Sequence, residues 1–224
     1  MSSSGDGLGG LARDYAGRRY KILFCMLLLT LLAAPILAAL RFSGMVLESL
    51  LAATLLAAIL PFREVRDRPY LLLAMVVVWL LRPVTAWLEQ PLLSKMTLGI
   101  WTLIGLLAAA AALRYATSAS KVDAERLYAA LSAYLLAGIY FGLLYWLLEQ
   151  TNPGAFAFSG EFSQSSAIYF SFVTLATLGY GDITPRADIS RGLAIVEGVG
   201  GQLFLAVLVA RLVSLYSKPG NESR

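Results

Sequence analysis

Six long apolar stretches dominate this sequence, and each is close to the roughly 20 residues that an α-helix needs to cross a bilayer. They lie approximately at Tyr20–Leu40, Met45–Phe62, Pro69–Leu88, Met96–Tyr115, Ala124–Leu148 and Ile189–Leu215. Only 14% of the 224 residues are charged, whereas a soluble domain carries about 25%. The sequence therefore predicts an all-α membrane protein with six transmembrane helices.

The first stretch also has features of a cleaved signal peptide. Basic residues stand at its beginning, at Arg18, Arg19 and Lys21, and small residues stand near its end, at Ala38 and Ala39. Its apolar run is long for a signal peptide, which favours a retained helix. An even number of spans agrees with this choice, and cleavage stays the alternative.

The positions of the 18 Lys and Arg residues orient the helices. With a cytoplasmic N-terminus, 13 of them lie inside, four lie outside and Arg82 lies within a helix. This bias predicts a multi-pass protein of the cell membrane (inner or plasma) with both termini cytoplasmic. The net charge of +4 is then a membrane-orientation signal, and nucleic acid is not an expected partner.

Catalytic and metal chemistry have little support in this sequence. There is no histidine, and the single Cys25 lies inside an apolar run, so neither a zinc motif nor a disulfide is expected. No nucleophile–base set is evident. We therefore expect neither an enzyme nor a bound cofactor.

A seventh apolar run, Ser165–Ala176, is about 12 residues long and too short to span a bilayer. It lies outside by the predicted topology, so it enters the membrane and returns to the same side. The glycine-rich residues 177–182 follow it, and non-helical backbone at membrane depth must line a watery path or be buried in protein. If Gly179 and Gly181 adopt unusual dihedral angles, successive carbonyls can point one way and replace the water shell of a monovalent cation.

The stretch T-L-G-Y-G-D, Thr177–Asp182, resembles the selectivity-filter signature of potassium channels, TVGYG, with leucine in place of valine. The resemblance implies that K⁺ is bound by the carbonyls of Thr177, Leu178, Gly179 and Tyr180, together with the Thr177 hydroxyl. K⁺ would be a permeant ligand in this case and not a cofactor.

The same resemblance assigns supporting residues around the filter. The Tyr180 ring would pack outward and hold the filters at a fixed diameter, while Gly181 frees the outer exit and Asp182 anchors it. Many bacterial potassium channels have a glutamate behind the filter where this chain has Val173. Tyr169 is therefore the candidate hydrogen-bond partner of Asp182.

The segments around the filter are similar in order to the pore domain of this family. The expected organisation is an N-terminal tail 1–19, a four-helix bundle 20–115 resembling an uncharged voltage-sensor-like domain, a linker 116–123, a pore domain 124–216 and a C-terminal tail 217–224. Within the pore domain we expect an outer helix, a turret, a pore helix 165–176, a filter 177–182 and an inner helix 189–216. One chain supplies one filter and a pore needs four, which implies a homotetramer in the lipid bilayer.

The last helix has three glycines within four residues, at 198, 200 and 201. Gly201 lies where the family's hinge glycine usually sits, so it is the predicted hinge, and close helix packing is the alternative. Leu205, Val209 and Val213 follow at four-residue steps and would form a pore-facing gate.

The fourth apolar stretch has one charge, Arg114, at its inner end, so no conventional voltage sensor is expected. Three other charges lie at membrane depth. Glu48 and Arg82 form either an intramembrane pair or two separately snorkelling side chains. For Glu197 we favour structural hydrogen bonding over lining the vestibule or sensing protons.

The predicted function is passive, potassium-selective transport through a homotetrameric channel that is not conventionally voltage-gated. A poorly selective cation channel with a similar pore is one alternative. Another is a regulatory membrane subunit that assembles with other pore chains.

Overall fold

The computed structural model describes most of the chain from residue 90 onward and parts of the preceding segment. The described residues are 19–33, 36, 49–54, 56, 73, 76–81, 84–85, 88, 90–118 and 123–216. The chain divides into two compact units, one of Met1–Ser118 with Asp123–Ala137 and the other of Ala119–Val122 with Gly138–Arg224. The predicted Glu48–Arg82 pair lies outside the described residues.

Three of the described helices are long and apolar enough to cross a membrane. They are Pro91–Thr117, Ala124–Thr151 and the Asp188–Val213 part of the last helix. They correspond to the fourth, fifth and sixth predicted spans. The first three predicted spans lie partly outside the described residues, where helix is present at 19–33, 49–54 and 76–81.

We label the well-defined helices α1 to α4. They are α1, Pro91–Thr117; α2, Ala124–Thr151; α3, Gln164–Leu175; and α4, Asp188–Tyr216. Two short strands, β1 at Phe156–Ala157 and β2 at Thr184–Pro185, pair antiparallel. The described residues are thus helical apart from loops and this one strand pair.

The helix ends differ from the predicted ends by a few residues, for local reasons. α1 begins at Pro91, five residues before the predicted Met96, because proline is well suited to the first helical turn. It runs to Thr117, so the predicted linker at 116 starts too early. α2 likewise continues past Leu148 to Thr151.

The short α3 has a defined beginning and end. The Ser163 side chain accepts a hydrogen bond from the Ser166 backbone N–H, and the Ser166 side chain accepts one from the Ser163 backbone, which forms a capping box. Ala176 is the C-cap and lies outside the helix. The observed range therefore begins and ends one residue before the predicted 165–176.

In the first unit, the junction of α1 and α2 is held by polar and aromatic contacts. Asp123 caps α2 by accepting from the Arg126 backbone N–H at 2.9 Å. The Arg126 guanidinium donates to the Tyr115 carbonyl at 2.8 Å and lies over the Tyr115 ring. These contacts order the start of α2.

In the second unit, α2 and α3 approach so closely that only glycine fits at two positions. A Cβ on Gly138 would lie 2.5 Å from the Phe172 ring, and one on Gly142 would lie 2.5 Å from the Ile168 Cα. The two glycines are four residues apart and face the same way, as in a G-x-x-x-G motif. They fix α3 against α2.

An aromatic cluster fills the space around α3. Its buried members are Tyr145, Phe156, Phe162 and Phe170. The Tyr145 and Phe170 rings meet edge to face at 5.0 Å, a favoured aromatic geometry. This cluster joins α2, β1 and α3 into one core.

A set of hydrogen bonds joins the loop before α3 to the loop after residues 177–182. The Ala155 carbonyl accepts from the Arg186 N–H at 2.8 Å, the Ala187 N–H at 3.2 Å and the Ser190 hydroxyl at 2.8 Å. Glu149 holds the same loop by accepting from the backbone N–H groups of Gly154 and Phe156. The ends of the intervening segment are therefore fixed.

Candidate functional site

The C-terminal end of α3 turns directly into residues 177–182. The Thr177 N–H donates to the Thr174 carbonyl at 3.0 Å, and the Leu178 N–H donates to the Val173 carbonyl at 2.9 Å. This is the bonding pattern of a Schellman motif, with Thr177 at the position where glycine is usual. Val173 thus contacts the site through its backbone carbonyl, while its own side chain is buried.

The backbone dihedral angles alternate along this segment. Positive φ angles occur at Thr177 (56°), Gly179 (60°) and Gly181 (78°), whereas the intervening residues have ordinary φ. In a regular extended strand successive carbonyls point to opposite sides, and reversing the handedness at every second residue turns them toward one side. The unusual dihedrals expected at Gly179 and Gly181 are confirmed. The one at Thr177 was not predicted, because a β-branched residue rarely adopts it.

The helix before this segment adds an electrostatic preference. The last carbonyls of α3 carry the negative end of its dipole, and residues 177–180 follow directly from that end. A helix C-terminus stabilises cations in its neighbourhood. The arrangement therefore combines uncharged backbone oxygens with a field that favours positive charge.

Tyr169, Tyr180 and Asp182 form a contact group beside the segment. The rings of Tyr169 and Tyr180 are nearly parallel, with centroids 6.5 Å apart. The Tyr169 hydroxyl also interacts with the Asp182 carboxylate. The Tyr180 side chain is 66% exposed in the single chain, so its outward face is available for contact with another chain.

Gly201 on α4 packs against the end of α3. A Cβ there would lie 2.8 Å from the Leu175 carbonyl oxygen and 2.8 Å from the Leu175 Cδ1. The packing alternative therefore accounts for Gly201, and its role as a hinge stays a prediction. Leu205, Val209 and Val213 are exposed on the single chain.

Gly201→Ala is expected to lower the free energy of unfolding by about 1–3 kcal/mol, because the new methyl group overlaps a backbone carbonyl. Gly200→Ala is the matched control, since a Cβ there meets no atom within 4 Å. Thermal unfolding of both variants in detergent measures the difference. Equal stability of the two would contradict the packing role of Gly201.

Glu197 lies on α4, one turn before Gly201, and is buried. The Tyr145 hydroxyl from α2 donates to its Oε2 at 2.6 Å, and the Ser171 hydroxyl from α3 contacts its Oε1. Structural hydrogen bonding, the favoured interpretation, is what the described contacts show. The roles of Tyr145 and Ser171 were not predicted, because nothing in the sequence pattern indicates that they meet a carboxyl group.

The family comparison concerns the part of the chain that contains this site. Residues 131–218 match the family model described as ion channel. The inward rectifier potassium channel Kirbac3.1 of Paramagnetospirillum magnetotacticum is 30% identical over 90 residues, which are 38% of this chain and 28% of the relative. Part of this chain is therefore similar to ion channels, and among the relatives to potassium channels.

Other potassium channels and one further protein are also similar to part of the chain. Two-pore potassium channel 3 of Arabidopsis thaliana is 31% identical over 104 residues, or 44% of this chain and 21% of the relative. Protein LctB of Bacillus caldotenax is 28% identical over 100 residues, or 42% of this chain and 74% of the relative. The chain thus spans under a third of the length of these two potassium channels. No solved structure matches the chain.

The match to the ion channel model relates residues 131–218 to a family of membrane proteins that is not an enzyme class. The matched segment includes most of α2, all of α3, residues 177–182 and α4. The distinctive backbone geometry and the family match therefore fall on the same residues.

Proposed function

We propose that the chain forms a potassium-selective channel that carries K⁺ passively across the cell membrane as a homotetramer. The observation that carries this proposal is the alternation of φ at Thr177, Gly179 and Gly181 directly after the C-terminal end of a helix. Four such segments around an axis would offer rings of carbonyl oxygens that replace the water shell of K⁺.

The ligands in this proposal are the carbonyls of Thr177, Leu178, Gly179 and Tyr180, with the Thr177 hydroxyl. Neutral oxygens hold a monovalent cation without trapping it, so the ion can leave as well as enter. The Tyr169–Tyr180 stack and the Asp182 contact support the outer half of each filter. Because these side chains are exposed in one chain, neighbouring subunits can complete their packing.

The exposed surface of α4 supports assembly into a tetramer. Apolar side chains along this helix are largely uncovered, including Ile195 at 65%, Val199 at 55% and Leu203 at 61%. Lipid or other subunits must cover most of them. If four copies of α4 surround a central pore, contacts between neighbouring copies cover part of each helix. In that arrangement Leu205, Val209 and Val213 form the gate, and Gly201 the hinge.

The charge pattern of α1 supports the absence of conventional voltage gating. Its only basic residues are Lys95 near one end and Arg114 near the other. Voltage sensing needs several charges that cross the field, at about 2.3 kcal/mol per charge per 100 mV. We therefore propose that opening does not follow membrane voltage steeply.

Reconstitution of the purified protein into liposomes tests the proposal. We expect K⁺ flux that barium blocks, and a reversal potential that follows the K⁺ gradient in mixed K⁺ and Na⁺. Equal permeability of the two ions would indicate a poorly selective cation channel. No flux from a protein that is not tetrameric would indicate a regulatory subunit of other pore chains.

A further inference from the structure

Glu197 lies where three helices meet. It extends from α4 toward Tyr145 of α2 and Ser171 of α3. Glu197 is 2% exposed, and the other two side chains are fully buried. A carboxyl group in such surroundings needs a hydrogen-bond partner for each oxygen, and the two hydroxyls supply them.

The number of available protons decides how these contacts are made. The Ser171 hydroxyl oxygen also lies 2.6 Å from the Gly138 carbonyl oxygen. The cluster therefore has three oxygen–oxygen contacts: Tyr145 with Glu197, Glu197 with Ser171, and Ser171 with Gly138. The two hydroxyls supply only one proton each, and the carbonyl supplies none. The third contact needs a proton on the Glu197 carboxyl group.

A protonated Glu197 satisfies every contact in the cluster. The Tyr145 hydroxyl donates to Oε2, the carboxylic O–H at Oε1 donates to the Ser171 oxygen, and the Ser171 hydroxyl donates to the Gly138 carbonyl. The charged alternative leaves Ser171 with one proton for two acceptors. Ser171 and Tyr145 are also the groups that interact with this carboxyl among the described residues, and neither carries a positive charge. An ionised, unpaired carboxylate is costly at membrane depth.

The cluster acts on the helix that carries the filter. Ser171 lies six residues before Thr177, and Leu175 lies one turn after Ser171. On α4, Gly201 likewise lies one turn after Glu197 and packs against Leu175. α4 therefore contacts α3 at two successive turns, by a hydrogen bond and then by close packing. These contacts hold the C-terminal end of α3 in place, and the filter backbone begins at that end.

We propose that Glu197 is a positioning residue of the selectivity filter and acts as a neutral carboxylic acid that joins α4 to α2 and α3. This inference rests on the proposed function, because filter positioning is measured through ion selectivity. It assigns the acidic residue of α4 to the same structural unit as the filter. It also predicts that a neutral hydrogen-bonding replacement keeps the filter intact.

Two variants of similar size separate this role from its alternatives. In Glu197→Gln, the amide N–H₂ can donate to Ser171 while the amide oxygen accepts from Tyr145, which reproduces the protonated acid. Glu197→Leu keeps the volume but can make neither hydrogen bond. We expect the K⁺ to Na⁺ permeability ratio of Glu197→Gln to stay within about twofold of the original. That of Glu197→Leu should fall by about tenfold, the effect of losing one buried hydrogen bond.

Infrared spectroscopy of the unmodified tetramer supplies a measurement that needs no active variant. A carboxylic-acid C=O band should be present at neutral pH and absent from Glu197→Gln. This measurement tests the proton directly, even if Glu197→Leu fails to assemble. The absence of the band would overturn the inference.

The remaining outcomes separate this inference from the proposed function. An unmodified protein that does not select K⁺ refutes the proposed function, and with it the filter-positioning role. A selective unmodified channel whose Glu197→Leu variant keeps full selectivity overturns the Glu197 inference alone. Equal losses in Glu197→Gln and Glu197→Leu would show that an ionised carboxylate is required, which also overturns it.

Discussion

Gly179→Ala is expected to abolish K⁺ flux through the reconstituted protein. Gly179 has a φ of 60°, and an L-residue in this left-handed region costs roughly 1–2 kcal/mol. In the proposed tetramer this cost occurs four times around one axis, which amounts to about 4–8 kcal/mol per pore. We expect the filter to relieve the strain by turning carbonyls away from the axis, since no atom beyond the two adjacent residues lies within 4 Å of the new methyl group.

Gly160→Ala is the matched control for this experiment. Gly160 also has a positive φ, 89°, and open surroundings, but it lies in the loop before α3. It therefore carries a comparable backbone strain outside the filter. Liposome flux should persist in Gly160→Ala and vanish in Gly179→Ala. Equal loss of flux in both variants would show that general destabilisation, and not the carbonyl geometry of the filter, is responsible.

Gly142→Ala is expected to destabilise the second unit strongly. The new Cβ would lie 2.5 Å from the Ile168 Cα and 3.0 Å from the Ile168 N, so backbone atoms of α3 would have to move. Overpacking of this kind costs about 1–3 kcal/mol, and contact with backbone places this change at the upper end. This loss of stability is opposite to the change expected from helix propensity, because replacing glycine by alanine inside a helix normally stabilises the helix by about 1 kcal/mol.

The direction of the change in unfolding midpoint tells close helix packing from helix propensity. Gly192→Ala, on α4, is the control because a Cβ there meets no atom within 4 Å. Thermal unfolding in detergent should show a lower midpoint for Gly142→Ala and an unchanged or higher one for Gly192→Ala. A stabilised Gly142→Ala would mean that α2 and α3 do not approach as closely as the structure indicates.

The most specific sequence prediction concerned residues 177–182. The expectation of unusual dihedrals at Gly179 and Gly181 came from the residue types alone, because glycine is the residue that adopts them at little cost. The expectation failed to include Thr177, which has the same sign of φ. That angle follows from the helix end: two hydrogen bonds, to Thr174 and Val173, hold Thr177 in the left-handed region.

The close approach of α2 to α3 was also missed, although a signal for it exists. Gly138 and Gly142 stand in a G-x-x-x-G spacing inside an apolar helix, which is typical of helices that pack closely in membranes. The spacing does not name the partner helix. Only the fold shows that Phe172 and Ile168 lie against these glycines.

The sequence by itself determined the apolar helices α1, α2 and α4 and the resemblance of residues 177–182 to a selectivity-filter signature. These follow from local properties: the length of apolar runs, the scarcity of charge and a short motif with special backbone requirements. The tertiary structure decided which side chains meet across α2, α3 and α4. Glu197 lies 52 residues after Tyr145 and 26 residues after Ser171 along the chain, and no local pattern encodes such contacts. Their hydrogen bonding depends on the packing of whole helices, because α2, α3 and α4 must meet at one point before these side chains can touch.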